Sequence, residues 1–131
     1  MDENKFIEVG VFTSKFNIIM DTNIPEGSIY QSKGLPTHMI NSGHGKCLKY
    51  LDCIREIINN PDYIGKNPNE SNSIELIKKY KDNVLIGIKV NTKDNYIYVA
   101  TMHDVQESKI AQRLHSGRLK IYQDNVDKLG Q

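Results

Sequence analysis

The chain has 131 residues, of which 38% are hydrophobic and 25% are charged. That size and polarity suit a single domain over residues 1–131 with a modest apolar core. Its 17 Lys and Arg against 16 Asp and Glu give a net charge of +1, which excludes the strong basic excess of a protein that coats duplex nucleic acid. No apolar run is long enough to span a bilayer, and the first residues lack a signal-peptide pattern. We therefore expect a cytoplasmic location.

The two cysteines, Cys47 and Cys53, fall on one predicted helix. Their spacing does not favour a mutual disulfide, which agrees with a reducing compartment. Together with His38 and His44 they could be imagined as four zinc ligands, but the spacing matches no standard finger. We expect no metal and no cofactor.

Residues 1–27 predict a strand hairpin that extends the fold at its amino-terminal end. Residues 5–12 and 15–20 are rich in β-branched and aromatic side chains, and Thr13-Ser14 separates them. Turn-forming residues at 23–27 then lead to a short strand at 28–31. An exposed edge of the hairpin would offer a route to a homodimer.

Two of the four histidines lie within residues 30–50. The unperturbed pKa of histidine is near neutrality, so its imidazole is the first candidate for proton transfer. Residues 41–43, Asn-Ser-Gly, predict a helix end, because glycine tolerates the left-handed conformation found there. This places His38 on a short helix, His44 in the following loop and Lys46 at the start of the next helix. The break would let the two imidazoles converge as an acid/base pair, although two surface polar residues beside a loop fit the same spacing.

The middle of the chain predicts one helix followed by three strands. Residues 46–59 carry an apolar stripe at three- and four-residue steps and end at Asn60-Pro61, so we interpret them as a core helix. A loop follows at 61–72. Residues 73–80, 84–90 and 96–102 then predict strands, the last two joined by a hairpin loop at 91–95.

Strand alternation predicts which side chains share a face of the sheet. A hairpin centred near Lys93 places residue 89 opposite 97 and residue 87 opposite 99. The even-numbered residues of both strands, from Val84 to Met102, then form the more apolar face, which should meet the helices. The other face carries Lys89, Thr101 and His103, which are suited to line an open surface.

Basic residues gather near the end of the chain. Asp104, three residues before Glu107, predicts a capped helix start, and Gly117 predicts the helix end. The basic cluster is Lys109, Arg113, His115, Arg118 and Lys120. Arginine offers a planar donor fork that suits phosphate oxygens, but cations are also favoured at any helix carboxyl end. Phosphate contact and ordinary capping both fit. Residues 121–131 form a polar tail.

Several motifs follow one another in an order that resembles a known group of nucleases. They are GLPTHMINSGH, KYLDCIREIINNPDYIGKNP, SIELIKKYKDNVLIGIKV and YIYVATMHDVQESKIAQRLHSGRLK. Over residues 28–120 this order resembles the phage-associated nuclease-like domains grouped with barnase, EndoU, the tRNase colicins and RelE.

The resemblance implies an α+β fold, with a small antiparallel sheet and two or three helices packed on one face. It also implies a metal-independent endoribonuclease, toxin-like or encoded by a phage or mobile element. In that reaction the ribose 2′-hydroxyl attacks the adjacent phosphorus and leaves a 2′,3′-cyclic phosphate. The reaction needs a base, an acid and cations near the phosphorane.

The resemblance also implies site residues and partners. His38 is the first choice for acid/base work and His44 the second, Arg118 would bind phosphate, and Thr101 or Ser116 would hydrogen-bond the substrate. The candidates for substrate binding are Lys46, Lys89, Arg113, His115 and Lys120. The partners would be RNA, such as tRNA or mRNA, and a cognate antitoxin or immunity protein.

A second interpretation keeps the nuclease-like fold without catalysis. The chain would then be a binding module for RNA or for a host or phage protein, and its balanced charge favours this alternative. A third and weaker interpretation is a toxin neutralised by a partner encoded next to it.

Overall fold

The structure, a computed structural model, describes residues 5–122. In this range seven strands form one sheet in the order β1-β2-β6-β5-β4-β3-β7. All neighbouring pairs are antiparallel except β2 and β6, which run parallel. The expected α+β class with a mainly antiparallel sheet is confirmed. The strands are β1 Phe6–Phe12, β2 Gly27–Ser32, β3 Tyr63–Lys66, β4 Ser73–Lys79, β5 Asn83–Asn91, β6 Tyr96–Asp104 and β7 Leu119–Ile121.

The helices connect these strands on both sides of the sheet. They are α1 Ser14–Met20, α2 Leu35–Asn41, the 3₁₀ helix η1 Gly45–Cys53, α3 Ile54–Asn59 and α4 Glu107–Ser116. No helix among residues 5–122 has the length and apolar character needed to cross a membrane.

The predicted amino-terminal hairpin is wrong in its second half, because residues 14–20 form helix α1. Phe16 and Met20 are four residues apart and both buried, so the helical repeat places them on one face against the core. That packing outweighs the β-propensity of the segment. The partner of β1 is β2, with an irregularity in register between Glu8 and Gly10.

The single helix predicted over residues 46–59 is divided in two. Residues 45–53 form the 3₁₀ helix η1, and only residues 54–59 are α-helical. The apolar stripe is nevertheless present. Leu48 and Leu51, three residues apart, suit the three-residue turn of η1, and Ile54, Ile57 and Ile58 are buried in α3.

Two clusters of buried side chains lie on opposite faces of the sheet. The larger one packs α1, α2, η1 and α3 against alternate residues of the central strands, including Val84, Ile86 and Ile88. The smaller one packs α4 against the opposite face, and its members include Leu85 of β5 and Ile110 of α4. Helices therefore cover one face broadly, and α4 covers only part of the other.

A β-bulge in β6 changes which side chains share a face. Gly87 pairs with Thr101 and Ile88 pairs with Val99, so Ala100 has no partner in β5. The predicted faces hold for residues 101–103 but are wrong for residues 96–99, because one extra residue reverses the alternation. Ile97 and Val99 enter the core, whereas Tyr96 and Tyr98 line the open face.

The last helix begins later than predicted. Asp104 is the final residue of β6, and α4 starts at Glu107. Its predicted end is confirmed, because Gly117 follows α4 in the left-handed conformation with φ of 85°. Of the predicted polar tail, residues 121–131, only Ile121 belongs to strand β7, and residues 123–131 lie outside the described residues.

Candidate active site

A cavity of about 650 Å³, which we call the main cavity, opens on the sheet face that α4 covers only in part. Gly87 in β5 lies at its floor, with Glu75 of β4 paired on one side and Thr101 of β6 paired on the other. A β-carbon added at Gly87 would lie 2.9 Å from Thr101 Cγ2, closer than side chains ordinarily approach. Glycine therefore keeps the floor open between a carboxylate and a hydroxyl.

Glu75 is the polar centre of this floor, although its side chain is only 9% exposed. Arg118 donates from Nε to Oε1 at 2.9 Å and from Nη2 to Oε2 at 3.0 Å. Arg113 Nη1 lies 3.7 Å from Oε2. Two parallel bonds from a planar guanidinium are the strongest way to hold a carboxylate, and a carboxylate this buried requires such compensation.

The carboxyl end of α4 positions both arginines. The Ser116 hydroxyl donates to the Arg113 carbonyl oxygen at 3.2 Å and accepts from the Arg118 backbone N–H at 3.4 Å. A β-carbon at Gly65 would collide with the Arg118 carbonyl oxygen, so only glycine lets β3 approach this segment. Ser116, a catalytic candidate, lines a separate shallow cavity with Arg113 and Arg118 and shapes the turn between them.

The two arginines retain capacity to bind an anion. A guanidinium has five N–H donors, and Glu75 engages two of those on Arg118. Arg113 Nη1 is buried and makes no hydrogen bond within residues 5–122. Arg118 also lines a second cavity of about 630 Å³, together with Lys66 and Lys120. The Arg118 side chain is 24% exposed, so a phosphate beside it would find free donors and positive charge. The buried Nη1 of Arg113 would add charge only.

The three histidines near this face occupy different places. His38 is exposed on α2, the short helix predicted for it, and it lines the main cavity. His44 follows α2 in the loop and packs on His103, with ring centroids 5.0 Å apart. His103 also lines the main cavity. The chain thus brings His38 and His103 to one cavity, with His44 packed against the second of them.

The geometry of His103 fixes its tautomer in the neutral state. Its Nδ1 lies 3.0 Å from the carbonyl oxygen of Asp104. A carbonyl oxygen can only accept, so Nδ1 carries the hydrogen and Nε2 is left as the basic nitrogen. His103 is therefore a further imidazole suited to exchange a proton within the cavity.

Four candidates for substrate binding do not line the main cavity, namely Arg113, described above, and Lys46, His115 and Lys120. Lys120 lines the second cavity, and His115 is exposed on α4 without lining either of them. Lys46 Nζ lies 3.1 Å from Asp82 Oδ1 and 3.4 Å from Asp104 Oδ2. Lys89, by contrast, lines the main cavity, with Nζ 3.5 Å from Glu70 Oε2.

The lysine cluster around Asp82 fastens η1 to the sheet. The Tyr50 hydroxyl donates to Asp82 Oδ2 at 2.7 Å, and Lys49 Nζ lies 3.4 Å from the same oxygen. The hydrogen bond from Tyr50, followed by that from Lys46, lowers the pKa of Asp82 to about 2. The hydrogen bonds from Lys46 to Asp82 and then to Asp104 raise the pKa of Lys46. Lys46 therefore helps to hold η1 against the sheet next to His103, and it does not line the main cavity.

Sequence reasoning missed Glu75 and the two tyrosines of β6. A signal for Glu75 was present, since one carboxylate lies between Ile74 and Leu76 in an otherwise apolar strand. A charge in such a run needs a partner or a function. No comparable signal marked Tyr96 and Tyr98, because their face depends on the bulge.

The family model described as phage-Barnase-EndoU-ColicinE5/D-RelE like nuclease3 matches residues 7–112. The chain belongs to this nuclease family. The resemblance inferred from the motifs is confirmed, and membership implies a nucleic-acid substrate. The matched residues of this nuclease include α1 and all of β1 except Phe6, and they end before Arg113. No curated protein and no solved structure matches the chain.

Proposed function

We propose that this nuclease is an endoribonuclease that cleaves RNA by attack of the ribose 2′-hydroxyl on the adjacent phosphorus. The supporting observation is the carboxylate of Glu75, held by Arg118 and Arg113 at the floor of an open cavity with His38 at its edge. This arrangement offers a base and a proton donor within one cavity, and arginine cations that contact the base from neighbouring cavities. These are the groups that the reaction needs.

In the proposed reaction Glu75 is the base and His38 the acid. The 2′-oxygen forms a bond to phosphorus while its proton passes to the Glu75 carboxylate. The bond from phosphorus to the 5′-oxygen breaks, and protonated His38 gives that oxygen a proton. The products are a 2′,3′-cyclic phosphate and a free 5′-hydroxyl. His103, with His44 packed on it, is the second acid/base candidate.

The remaining groups would bind the phosphate and the sugar. The free N–H donors of Arg118 and the positive charge of Arg113 would stabilise the charge on the phosphorane oxygens. Thr101, across the floor from Glu75, would hydrogen-bond the substrate. Lys89 would supply positive charge at the same cavity. Ser116 would act through the turn that holds the two arginines.

The first experiment incubates the purified protein with total tRNA and with a synthetic mixed-sequence RNA in excess EDTA. We expect cleavage with cyclic-phosphate ends by the wild type. The His38→Ala and Glu75→Gln variants should each be slower by about 10²- to 10⁴-fold, the usual contribution of a positioned acid or base. His115→Ala is the matched control and should cleave like the wild type, because His115 lies outside the cavity.

If the folded wild type cleaves neither RNA, the endoribonuclease proposal fails. The second candidate would then apply, a binding module that retains the nuclease fold. The chain's net charge of +1 favours this binding module, because an RNase that acts on bulk RNA gains affinity from a basic surface. Binding of the same RNAs without cleavage would support it.

The toxin-like role and its partners are proposals that follow from the resemblance. We propose that the chain acts in the cytoplasm and is held inactive by a cognate antitoxin or immunity protein. Growth arrest on induction of the wild type but not of Glu75→Gln would support the toxin role. A homodimer would use the edge strand β1, whose Ile7 and Val11 are exposed. A monomeric mass in solution would exclude it.

A further inference from the structure

Three aromatic side chains gather at one part of the main cavity. Tyr96 and Tyr98 come from β6, Phe6 comes from β1, and all three are partly exposed and line the cavity. The ring centroids of Tyr96 and Tyr98 are 5.4 Å apart with planes at 38°. Those of Phe6 and Tyr96 are 6.1 Å apart with planes at 64°. We call this group the aromatic platform.

The core does not require these rings. On the opposite face of the same strand, Ile97 and Val99 are 5% and 2% exposed and complete the apolar packing. The bulge at Ala100 turns the tyrosines away from that packing and onto the open face. Partly exposed aromatic rings lining a cavity offer flat apolar surfaces that a planar ligand can cover.

The platform lies within reach of the proposed reaction. Tyr98 pairs with Lys89, and Lys89 pairs with Ser73, two residues before Glu75 on β4. Strand spacing and rise therefore place the backbone of Tyr98 roughly 12 Å from that of Glu75. The ammonium group of Lys89 lines the same cavity. A ligand on the platform would have a cation beside it.

We propose that the aromatic platform binds an unpaired nucleobase of the RNA by stacking, next to the phosphate that Arg118 would bind beside Glu75. The proposal takes its ligand from the proposed function. It makes single-stranded RNA the substrate class, because a base can lie on these rings only when it is free of its own helix. Every base has a π face, so stacking of this kind tolerates sequence variation.

The test measures binding in a form that needs no cleavage. A short single-stranded oligonucleotide with 2′-deoxyribose throughout cannot undergo the reaction, so its dissociation constant reports binding alone. Tyr98→Phe keeps the ring and should bind like the wild type. Tyr98→Leu keeps apolar bulk but loses the π face, and should bind about 5- to 150-fold more weakly, the range for one stacked base.

Two controls make the effect specific. Tyr63→Leu changes a tyrosine of β3 outside the cavity and should bind like the wild type. In a series of oligonucleotides that each lack one base, removal of the base at one position should weaken binding to the wild type. Removal of the same base should not change the affinity of Tyr98→Leu. If Tyr98→Leu does not fold, Tyr96→Leu provides the same comparison.

The outcomes separate this inference from the proposed function. Equal binding by the wild type and the leucine variants, or equal affinity for a duplex of the same sequence, would overturn the platform even if RNA is cleaved. No measurable binding by any folded variant would overturn it as well. If the protein cleaves no RNA but its binding still depends on the tyrosine rings, the platform is supported and only the endoribonuclease proposal fails.

Discussion

The two faces of the sheet are built from the same strands and differ in what alternation places on them. On the covered face, β5 contributes Val84, Ile86 and Ile88, each at most 1% exposed. On the open face, the same strand contributes Gly87 and Lys89, which line the cavity. The first face is held by burial of apolar area, and the second by paired charges and hydrogen bonds. One strand therefore supplies both the core and the candidate site, and a change can be directed at either face.

The largest expected effect comes from inserting one alanine in β5 between Gly87 and Ile88, opposite Ala100. Regular pairing of the inserted residue with Ala100 would remove the bulge and reverse the faces of residues 96–99, which exposes Ile97 and Val99. Exposing two aliphatic side chains costs about 3 kcal/mol or more. We expect little folded protein, as measured by circular dichroism and urea unfolding. An insertion variant with wild-type stability would show that the bulge is dispensable.

A substitution in the covered face should affect stability far more than one in the open face. Ile86→Ala removes fully buried methyl groups and should lower the free energy of unfolding by about 2–5 kcal/mol. Thr101→Ala, at the partly exposed cavity floor, should cost less than about 1 kcal/mol. Urea unfolding of the two variants side by side provides the measurement. Similar losses at both positions would contradict the contrast between the faces.

Removal of Arg118 should reduce activity more than it reduces stability. Arg118→Ala leaves Glu75 with only the longer contact to Arg113, so the free energy of unfolding should fall by about 1–3 kcal/mol. If the proposed reaction is right, kcat/KM on RNA should fall by about 10²- to 10³-fold.

Arg118→Lys is the matched variant, because it keeps the charge but cannot form two parallel bonds. It should show an intermediate loss of activity. Recovery of full activity by lysine would mean that charge alone is needed at this position.

The smallest expected effect is a pH dependence from Asp82, away from the open face. Its folded-state pKa is lowered from 3.8 to about 2, so its contribution to stability is present above pH 4 and is lost as the pH falls toward 2. Asp82→Asn should remove that contribution. The difference in urea midpoint between wild type and variant should therefore shrink as the pH falls from 4 to 2. A constant difference across this range would exclude Asp82 as the titrating group.

Local patterns in the sequence predicted much of the fold but not the relation between its elements. Helix α2, the helix end at Gly43 and the β5–β6 hairpin followed from composition and turn residues. The helical state of residues 14–20 did not, because it depends on packing against the core. The faces of residues 96–99 also could not be predicted, because a bulge adds a residue without changing composition.

The candidate site was predicted to a similar degree. His38, Thr101 and Lys89 line the main cavity, and Arg118 reaches it through Glu75. Spacing placed His44 correctly in a loop, but it could not predict that the ring it contacts is His103. The ion pair between Glu75 and Arg118 joins residues that are 43 positions apart in the chain. Pairing over that distance depends on how β3, β4 and β7 come together.

Among the strands of residues 5–122, β2 and β6 form the single parallel pair, and this has a consequence for how the molecule folds. Strands β4, β5 and β6 are consecutive antiparallel neighbours, whereas Ile29 of β2 must find Ile97 of β6 far along the chain. Closing so long a loop is slow compared with forming hairpins. The β4–β6 meander can therefore assemble before the β1–β2 unit docks on it. Since Phe6 arrives with that unit, we expect the aromatic platform to be complete only after this docking step.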